Sequence, residues 1–218
     1  MKTKTVQSGL IVALLATGGL ALMASAANFP DPPKTEAMAQ PGKANIVLAG
    51  GCFWGMEGVF EHVKGVTGTV VGYAGGKAST ATYEQVEEGT TGHAESIQIT
   101  YDPSKITYGE ILKIYFSAAH DPTTVNRQHY DVGPQYRSAI FYADEQQKQL
   151  AEAYITQLNS AHAFKSNIVT QVVPLKGFFK AEDYHQRFLD RNPTQGYIVG
   201  VDIPLLNAFK AKYPEYYK

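Results

Sequence analysis

The fold is decided by one stretch of the chain, Asn45-Ile46-Val47-Leu48-Ala49-Gly50-Gly51-Cys52-Phe53-Trp54-Gly55. Residues 45–49 have the length of a strand and are apolar from Ile46 onward, which predicts a short buried strand. Apolar side chains then recur at helical spacing, and Gly65 ends this predicted helix, whose stripe is Met56, Val59, Phe60 and Val63. Cys52, the only cysteine of the chain, therefore lies where a buried strand passes into a helix.

Apolar patterns outside this stretch predict the remaining elements. The predicted strands cover residues 66–73, 94–101, 137–142 and 168–173. The predicted helices cover residues 107–119, a long segment that Asp144 caps with Gln147 as capping-box partner, and residues 181–189. The order β-α-β-β-α-β, followed by α-β-α, predicts an α+β fold. It is expected to be a two-layer sandwich with a ferredoxin-like βαββαβ core and C-terminal additions.

The first residues carry the pattern of an export signal. Lys2 and Lys4 precede an apolar run over residues 10–23, and small residues follow at Ala24-Ser25-Ala26. This predicts a signal peptide over 1–26, cleaved after Ala26, and a periplasmic or secreted protein. An uncleaved membrane anchor is the alternative, although the run is short for a bilayer span. Residues 27–43 are rich in proline and predict a flexible linker, and 44–218 read as one globular domain.

Composition argues against several function classes. The formal net charge is −1, which does not favour binding to nucleic acid or stable association with an anionic membrane after signal cleavage. The six histidines show no metal-ligand spacing, and a single cysteine cannot build a cysteine-rich metal site. No metal and no bound cofactor is therefore expected. No obvious apolar surface stripe is present, so we expect a monomer.

Cys52 is predicted to be a nucleophile, with an inert buried thiol as the alternative. Its place at a helix start favours the thiolate, because unpaired helix N–H groups point toward it. That effect contributes only ~0.3–1 kcal/mol, and one pKa unit corresponds to about 1.36 kcal/mol. The helix alone would lower the pKa from about 8.5 to roughly 7.8. Cys52 therefore needs a further hydrogen-bond donor or an activated substrate.

Glu95 shares one face of its predicted strand with Ile97, Ile99 and Tyr101. Burial disfavours the charged form of a carboxyl group, so Glu95 could stay protonated near neutrality and act as a proton donor. The alternatives are that it turns to solvent or pairs with Arg137. The long polar loop over residues 120–137 is expected to be ordered, with one or two side chains lining a pocket.

These stretches together resemble the A-type peptide methionine sulfoxide reductases. The resemblance covers residues 44 to about 190 and rests on several motifs in order: Gly51-Cys52-Phe53-Trp54-Gly55, Val71-Gly72-Tyr73-Ala74-Gly75-Gly76, Tyr83-Glu84-Gln85-Val86, Gly92-His93-Ala94-Glu95, His120-Asp121-Pro122-Thr123, Asn126-Arg127-Gln128, and Ala181-Glu182-Asp183-Tyr184-His185-Gln186. It implies a peptide-methionine (S)-S-oxide reductase that repairs oxidised methionine, here in exported proteins.

The resemblance also implies roles for single residues. Cys52 would attack the sulfoxide sulfur and become a sulfenic acid, with Glu95 as proton donor. Tyr83 and Tyr136 would join Glu95 in hydrogen-bonding the sulfoxide oxygen. The substrate methyl group would lie against the rings of Phe53 and Trp54. Asp131 would lie at the edge of the pocket.

The sequence departs from many relatives in two places. It has no recycling cysteine in the tail over residues 203–218, so an external thiol must regenerate Cys52. A thioredoxin-like protein, a glutaredoxin-type protein or a small thiol could supply it. The second departure is His129-Tyr130, where relatives usually carry smaller residues; this affects the rim of the pocket.

Two other functions remain open from the sequence. A cysteine-dependent amidase-type hydrolase could use Cys52 with Glu95 and would consume no thiol. A non-catalytic periplasmic binding protein or thiol sensor could use the aromatic pocket without turnover. Consumption of thiol in proportion to product distinguishes the reductase from both.

Overall fold

The computed structural model describes residues 29–33 and 42–218. The predicted signal peptide lies outside these residues. The strands are β1 (Ala44–Ala49), β2 (Val66–Ala74), β3 (Ala94–Tyr101), β4 (Arg127–Gln128), β5 (Asp131–Val132), β6 (Ala139–Tyr142), β7 (Gln171–Pro174) and β8 (Phe178–Lys180). The helices are α1 (Phe53–Glu61), α2 (Tyr83–Glu87), α3 (Tyr108–Ile114), α4 (Glu145–Ser160), α5 (Phe188–Arg191) and α6 (Ile203–Lys212). Single π-helical segments occur at Tyr115–Ala119 and Ile198–Asp202.

Six strands form the main sheet in the order β7-β6-β1-β3-β2-β8. The four central strands pair antiparallel throughout, which gives the arrangement expected of a βαββαβ ferredoxin-like core. β7 adds to one edge in parallel with β6, and β8 adds to the other edge beside β2. The predicted α+β sandwich with C-terminal additions is confirmed.

Helices α1, α3, α4 and α6 cover one face of this sheet. The main core lies between them and contains side chains of β1 and β3 together with large aromatic rings, among them Phe60, Phe116, Tyr154 and Phe209. α1 lies over β2 and β3, so its first turn is fixed next to the end of β1. This packing places the β1–α1 junction, and Cys52 with it, on a rigid part of the molecule.

The prediction of a helix over residues 181–189 is wrong. The chain makes successive turns there and becomes helical only in α5. The Gln186 side chain accepts a hydrogen bond from the Val71 N–H and donates one to the Val71 carbonyl, each at 3.0 Å. Arg187 has a left-handed backbone (φ 54°), and its N–H donates to Glu57 Oε2 at 2.6 Å. These long-range hydrogen bonds replace the bonds a helix would make.

Two smaller differences concern the end of the chain. The predicted strand 168–173 is shortened to β7, because the Ile168 N–H donates to the Asn159 side chain rather than to a neighbouring strand. β8 and α6 were not predicted.

No helix in residues 29–33 and 42–218 has the length and apolar character needed to cross a membrane.

Part of the predicted linker contacts the domain. The Phe29 ring packs edge-on against Phe164, with ring centroids 5.8 Å apart. The Tyr154 hydroxyl donates to the Pro30 carbonyl at 2.6 Å, and Lys113 forms a 2.7 Å ion pair with Asp31. Residues 29–33 therefore lie along α3 and α4. Most of the rest of the predicted linker lies outside the described residues.

Candidate active site

The junction between β1 and α1 holds Cys52 as the N-cap residue of the helix. Gly51 has a positive φ of 90°, and a Cβ at this position would lie 2.7 Å from the Gln128 side chain. Glycine is therefore needed here both for the backbone conformation and for the close approach of the loop over residues 120–137. The result is a sharp turn that presents the half-buried residue Cys52 at the end of the sheet.

Glu95 lies on β3, beside this turn, and is only 3% exposed. Its Oε2 accepts a hydrogen bond from the Phe53 N–H at 3.0 Å, so the carboxyl group is held against the first turn of α1. Burial raises the pKa of Glu95 to about 8, and the nearby carboxylate of Asp131 adds to this. Glu95 is therefore largely protonated at neutral pH. Arg137 does not pair with it and donates instead to backbone carbonyls of Gly92, His93 and Pro134.

The pKa of the Cys52 thiol is raised well above its usual value, not lowered as the helix position alone suggests. Burial is the main cause, and the negative charges of Glu95 and Asp202 add to it. The expectation of a favoured thiolate is corrected, because burial and acidic neighbours outweigh one helix terminus. In the unliganded protein, Cys52 is a protonated thiol.

Two tyrosines stand near this pair. Tyr83 begins α2; its N–H donates to Glu182 Oε1 at 3.0 Å and its hydroxyl donates to Glu87 at 3.0 Å. Tyr136 ends a short 3₁₀ turn that starts at Pro134. Burial raises the pKa of both tyrosines, so both hydroxyls are neutral donors over the physiological range.

Aromatic rings form a wall next to the thiol. Phe53 is buried, and Trp54 stacks on Phe188 with ring centroids 3.8 Å apart. The indole N–H of Trp54 donates to His185 Nδ1 at 3.1 Å, which fixes the orientation of the indole ring. His185 packs in turn against Phe53 and Tyr83, at centroid distances of 5.0 and 4.4 Å.

Asp131 lies at the pocket edge on β5. Its carboxyl group accepts a hydrogen bond from the Tyr197 hydroxyl, which the C-terminal part of the chain supplies. Burial raises the pKa of Asp131 above its usual value. Next to it lies Tyr130, one of the two residues in which this sequence departs from its relatives at the pocket rim. Tyr130 is 84% exposed, so its side chain lies mostly in solvent.

All seven residues predicted from the sequence meet at one cavity of about 210 Å³. Its lining comprises Cys52, Phe53, Trp54, Tyr83, Glu95, Asp131 and Tyr136, together with Glu87, Gln195 and Tyr197. The geometry thus brings the predicted residues together, and their individual roles stay predictions. The loop over residues 120–137 behaves as expected: Gln128 bonds to the backbone of Asp121, and Asp131 and Tyr136 reach the cavity.

Several site residues were missed because they come from the far end of the sequence. Tyr197 and Gln195 precede the π-helical segment Ile198–Asp202, and no periodic pattern marks them. His185 accepts the hydrogen bond from the Trp54 indole and so supports the aromatic wall. Within the residues described, no cluster of histidine, cysteine or acidic side chains could hold a metal ion.

The family model described as "Peptide methionine sulfoxide reductase" matches residues 44–216. The chain belongs to this family. The family and the reductase activity that the motifs predict are confirmed by this match together with those to curated relatives. Peptide methionine sulfoxide reductase MsrA 2 of Mesorhizobium japonicum is 52% identical over 179 residues, covering 82% of this chain and 92% of that protein.

Further relatives of this reductase agree. MsrA 2 of Synechocystis is also 52% identical, over 80% of this chain and 81% of that protein. Among solved structures, methionine sulfoxide reductase A of Corynebacterium diphtheriae has a TM-score of 0.62 at 36% identity, covering 76% of this chain and 87% of that one. Reduced Mxr1 of Saccharomyces cerevisiae has a TM-score of 0.64 at 34% identity, covering 70% and 87%.

Proposed function

We propose that this reductase acts on the S epimer of methionine sulfoxide, free or in proteins, with Cys52 as nucleophile and Glu95 as proton donor. The observation that carries the proposal is the shared cavity of a thiol and a buried acid whose pKa of about 8 keeps it protonated at neutral pH. A sulfoxide oxygen is a poor leaving group until it is protonated, so an acid and a nucleophile at one cavity suit this reaction.

The first half of the reaction transfers one oxygen atom. The Cys52 thiol gives its proton to a base of the site and its sulfur bonds to the sulfoxide sulfur, while Glu95 gives its proton to the sulfoxide oxygen. The oxygen then passes to Cys52 as the hydroxyl of a sulfenic acid, and methionine leaves as the thioether. Cys52 loses two electrons and the sulfoxide gains them. We assign the hydrogen bonds that hold the oxygen in this step to the hydroxyls of Tyr83 and Tyr136, two residues that line the cavity. The Tyr83 hydroxyl, which donates to Glu87 in the unliganded protein, would turn to the oxygen instead.

The aromatic wall selects and orients the substrate. Phe53 and Trp54 offer ring surfaces to the S-methyl group, and sulfur–aromatic contacts contribute about 0.3–1.5 kcal/mol. This is too little to hold a substrate alone, so the hydrogen bonds to the oxygen must fix its orientation. With the oxygen and the methyl group assigned to different walls, only one sulfoxide epimer can direct its sulfur at Cys52.

The second half of the reaction needs an external reductant, because the chain has one cysteine. A first thiol attacks the Cys52 sulfenic acid, which forms a mixed disulfide and releases water. A second thiol then frees Cys52 and leaves as part of a disulfide. A thioredoxin-like protein, a glutaredoxin-type protein or a small thiol fits this role. Two thiols are consumed for each methionine formed.

We also propose that the protein repairs exported proteins. The support is the sequence of residues 1–26, whose charged, apolar and small-residue regions follow the order of a secretory signal. An oxidising compartment would suit an enzyme whose single thiol has no internal partner.

The decisive experiment is mass spectrometry of the protein after exposure to each separated sulfoxide epimer without a reductant. We expect one added oxygen on Cys52 and one equivalent of methionine with the S epimer. With dithiothreitol, consumption of thiol should match production of methionine. Cys52→Ser should abolish both signals. Normal turnover in that variant, or product formed without thiol consumption, would contradict the proposal and favour a hydrolase.

A further inference from the structure

Cys52 borders a second, smaller cavity besides the substrate cavity. It measures about 20 Å³ and is lined by residues that include Cys52, Gly55, His129, Asp131, Tyr197 and Asp202. A volume of this size holds about one water molecule. Cys52 therefore lines two spaces, and Val201 and Asp202 of the π-helical segment Ile198–Asp202 border the smaller one.

Asp202 is the unusual group of this smaller cavity. It is 2% exposed, and among the residues described by the structure its Oδ2 has no hydrogen-bond partner. A Cβ at Gly55 would lie 2.6 Å from Asp202 Oδ1, so the carboxyl group packs directly on the first turn of α1. A buried acid with a free oxygen is costly unless it exchanges a proton or a hydrogen bond with something else.

We propose that Asp202 accepts the proton of the Cys52 thiol during attack on the sulfoxide and passes it to the departing hydroxyl when the external thiol regenerates the enzyme. This inference rests on the proposed function. The shared cavity has room for one water molecule to carry the proton between the two groups.

The site needs such an acceptor because its thiol is protonated. Burial and acidic neighbours raise the pKa of Cys52, and a thiol must lose its proton to become a nucleophile. Glu95 cannot accept that proton, since it must carry its own proton to the sulfoxide oxygen. Asp131 is engaged by the Tyr197 hydroxyl. Burial raises the pKa of Asp202 to about 7, with Asp131 adding to the shift, so much of it is an available base at neutral pH.

The two half-reactions then balance without any loss of protons. In the first, the thiol proton goes to the Asp202 carboxylate and the Glu95 proton goes to the oxygen that ends on Cys52. In the second, the first external thiol gives its proton to the Glu95 carboxylate and forms a mixed disulfide with Cys52, while Asp202 gives its proton to the departing hydroxyl, which leaves as water. The second external thiol then breaks the mixed disulfide, and its proton restores the Cys52 thiol. Both acids return to their starting forms, and the two electrons pass from the external thiols through Cys52 to methionine.

The test compares Asp202→Asn with the unchanged protein in two assays. The first measures methionine formed in a single turnover without reductant, from about pH 5 to about pH 9. The second measures alkylation of Cys52 by iodoacetamide over the same range. Asp190→Asn, which removes a carboxylate exposed beside Arg187, is the matched control and should leave both assays unchanged.

Only the turnover assay should become slower. Asp202→Asn should slow the single turnover about 100-fold at neutral pH and remove the rise in rate near pH 7, because the base is lost. Alkylation should stay as fast or become faster, because removing an acidic neighbour lowers the pKa of Cys52. A merely structural role would slow the turnover by a similar factor at every pH and leave the rise in rate near pH 7 in place. An unchanged turnover with the same pH profile, or a parallel loss in both assays, would overturn the inference.

The unchanged protein gives a second test if the variant does not fold. Its single-turnover rate should rise through pH 7 as Asp202 ionises and fall above about pH 8 as Glu95 loses its proton. Alkylation should lack the rise at pH 7. A single-turnover rate that is flat across neutrality would contradict the role of Asp202. Absence of any methionine in the unchanged protein would instead contradict the proposed function itself.

Discussion

The site is assembled from two regions that are built differently. The region around Cys52 and Glu95 consists of the β1–α1 junction and β3, which are regular elements packed on the main core. The region over residues 181–202 consists of turns, a single short helix and a π-helical segment, held by side-chain hydrogen bonds to β2 and α2. The first region supplies Cys52 and Glu95, the proposed nucleophile and proton donor. The second supplies Asp202 and the outer wall of the cavity, which is formed by Gln195 and Tyr197 together with Phe188 stacked on Trp54.

The two residues proposed to react thus lie on regular elements, whereas the residues that enclose the substrate lie on irregular ones. The positions of Cys52 and Glu95 depend on backbone geometry that costs much free energy to disturb. The outer wall depends on individual hydrogen bonds and one ring stack, each of which contributes modestly. Substitutions in the first region should therefore reduce the rate of the chemical step, and substitutions in the second should reduce substrate affinity and stability.

The largest effect after loss of Cys52 itself is expected for Glu95→Gln. The amide keeps the shape but cannot deliver a proton, so kcat should fall by about 10²–10⁴-fold. The decline in activity above about pH 8, where Glu95 loses its proton in the unchanged protein, should disappear. Steady-state assays across the pH range measure both effects.

The control for that variant is Glu152→Gln, which makes the same change on the exposed side of α4 and should behave as the unchanged protein. A Glu95→Gln variant with near-normal kcat would show that the acid is structural. The contrast between the two regions would then lose its main support.

An intermediate effect is expected for Gln186→Ala. This change removes the two hydrogen bonds of the Gln186 side chain to the Val71 N–H and carbonyl on β2, while the carbonyl keeps its bond from the Ala181 N–H. The Val71 N–H is left without a partner, which costs about 1–3 kcal/mol, so the free energy of unfolding should fall by that amount. KM should rise more than kcat falls, because the outer wall loosens while Cys52 and Glu95 stay in place.

Thermal unfolding and steady-state kinetics measure this variant. Gln149→Ala, on the exposed surface of α4, is the control and should change neither quantity. A loss of kcat with unchanged KM would mean that the two regions are not separable in the way described.

The smallest effect is expected for Phe188→Leu. The change removes the ring that stacks on Trp54 at 3.8 Å, a contact that contributes about 0.5–1.5 kcal/mol. KM should rise roughly two- to ten-fold with kcat nearly unchanged. Phe164→Leu, which alters a ring pair on the far side of the core with Phe29, should leave KM as it was. Equal effects in the two variants would assign the Phe188 effect to stability alone.

The sequence predicts the first region well because its signals are local. An apolar strand, glycines at a turn and a helical stripe fall within about twenty residues, and the burial of Glu95 follows from alternation along one strand. The second region lacks such signals. Residues 181–189 carry an apolar spacing that fits a helix, yet the hydrogen bonds of Gln186 and Arg187 to β2 and α1 decide their conformation. Nothing around Asp202 indicates that it reaches Cys52.

The pKa of Cys52 shows the same limit in another form. Its place at a helix start is visible in the sequence and favours the thiolate. The acids that oppose this effect, Glu95 and Asp202, approach from positions 43 and 150 residues further along the chain. The sign of the net effect could be obtained only from the folded arrangement.

The modest size of the substrate cavity has a consequence for the choice of protein clients. At about 210 Å³ it is smaller than the roughly 300–1,000 Å³ of typical small-molecule sites, so it suits one side chain rather than a folded segment. An oxidised methionine buried in a stable neighbour cannot reach it. We expect the enzyme to reach damage first in locally unfolded or protruding loops, so that the dynamics of the client set the order of repair.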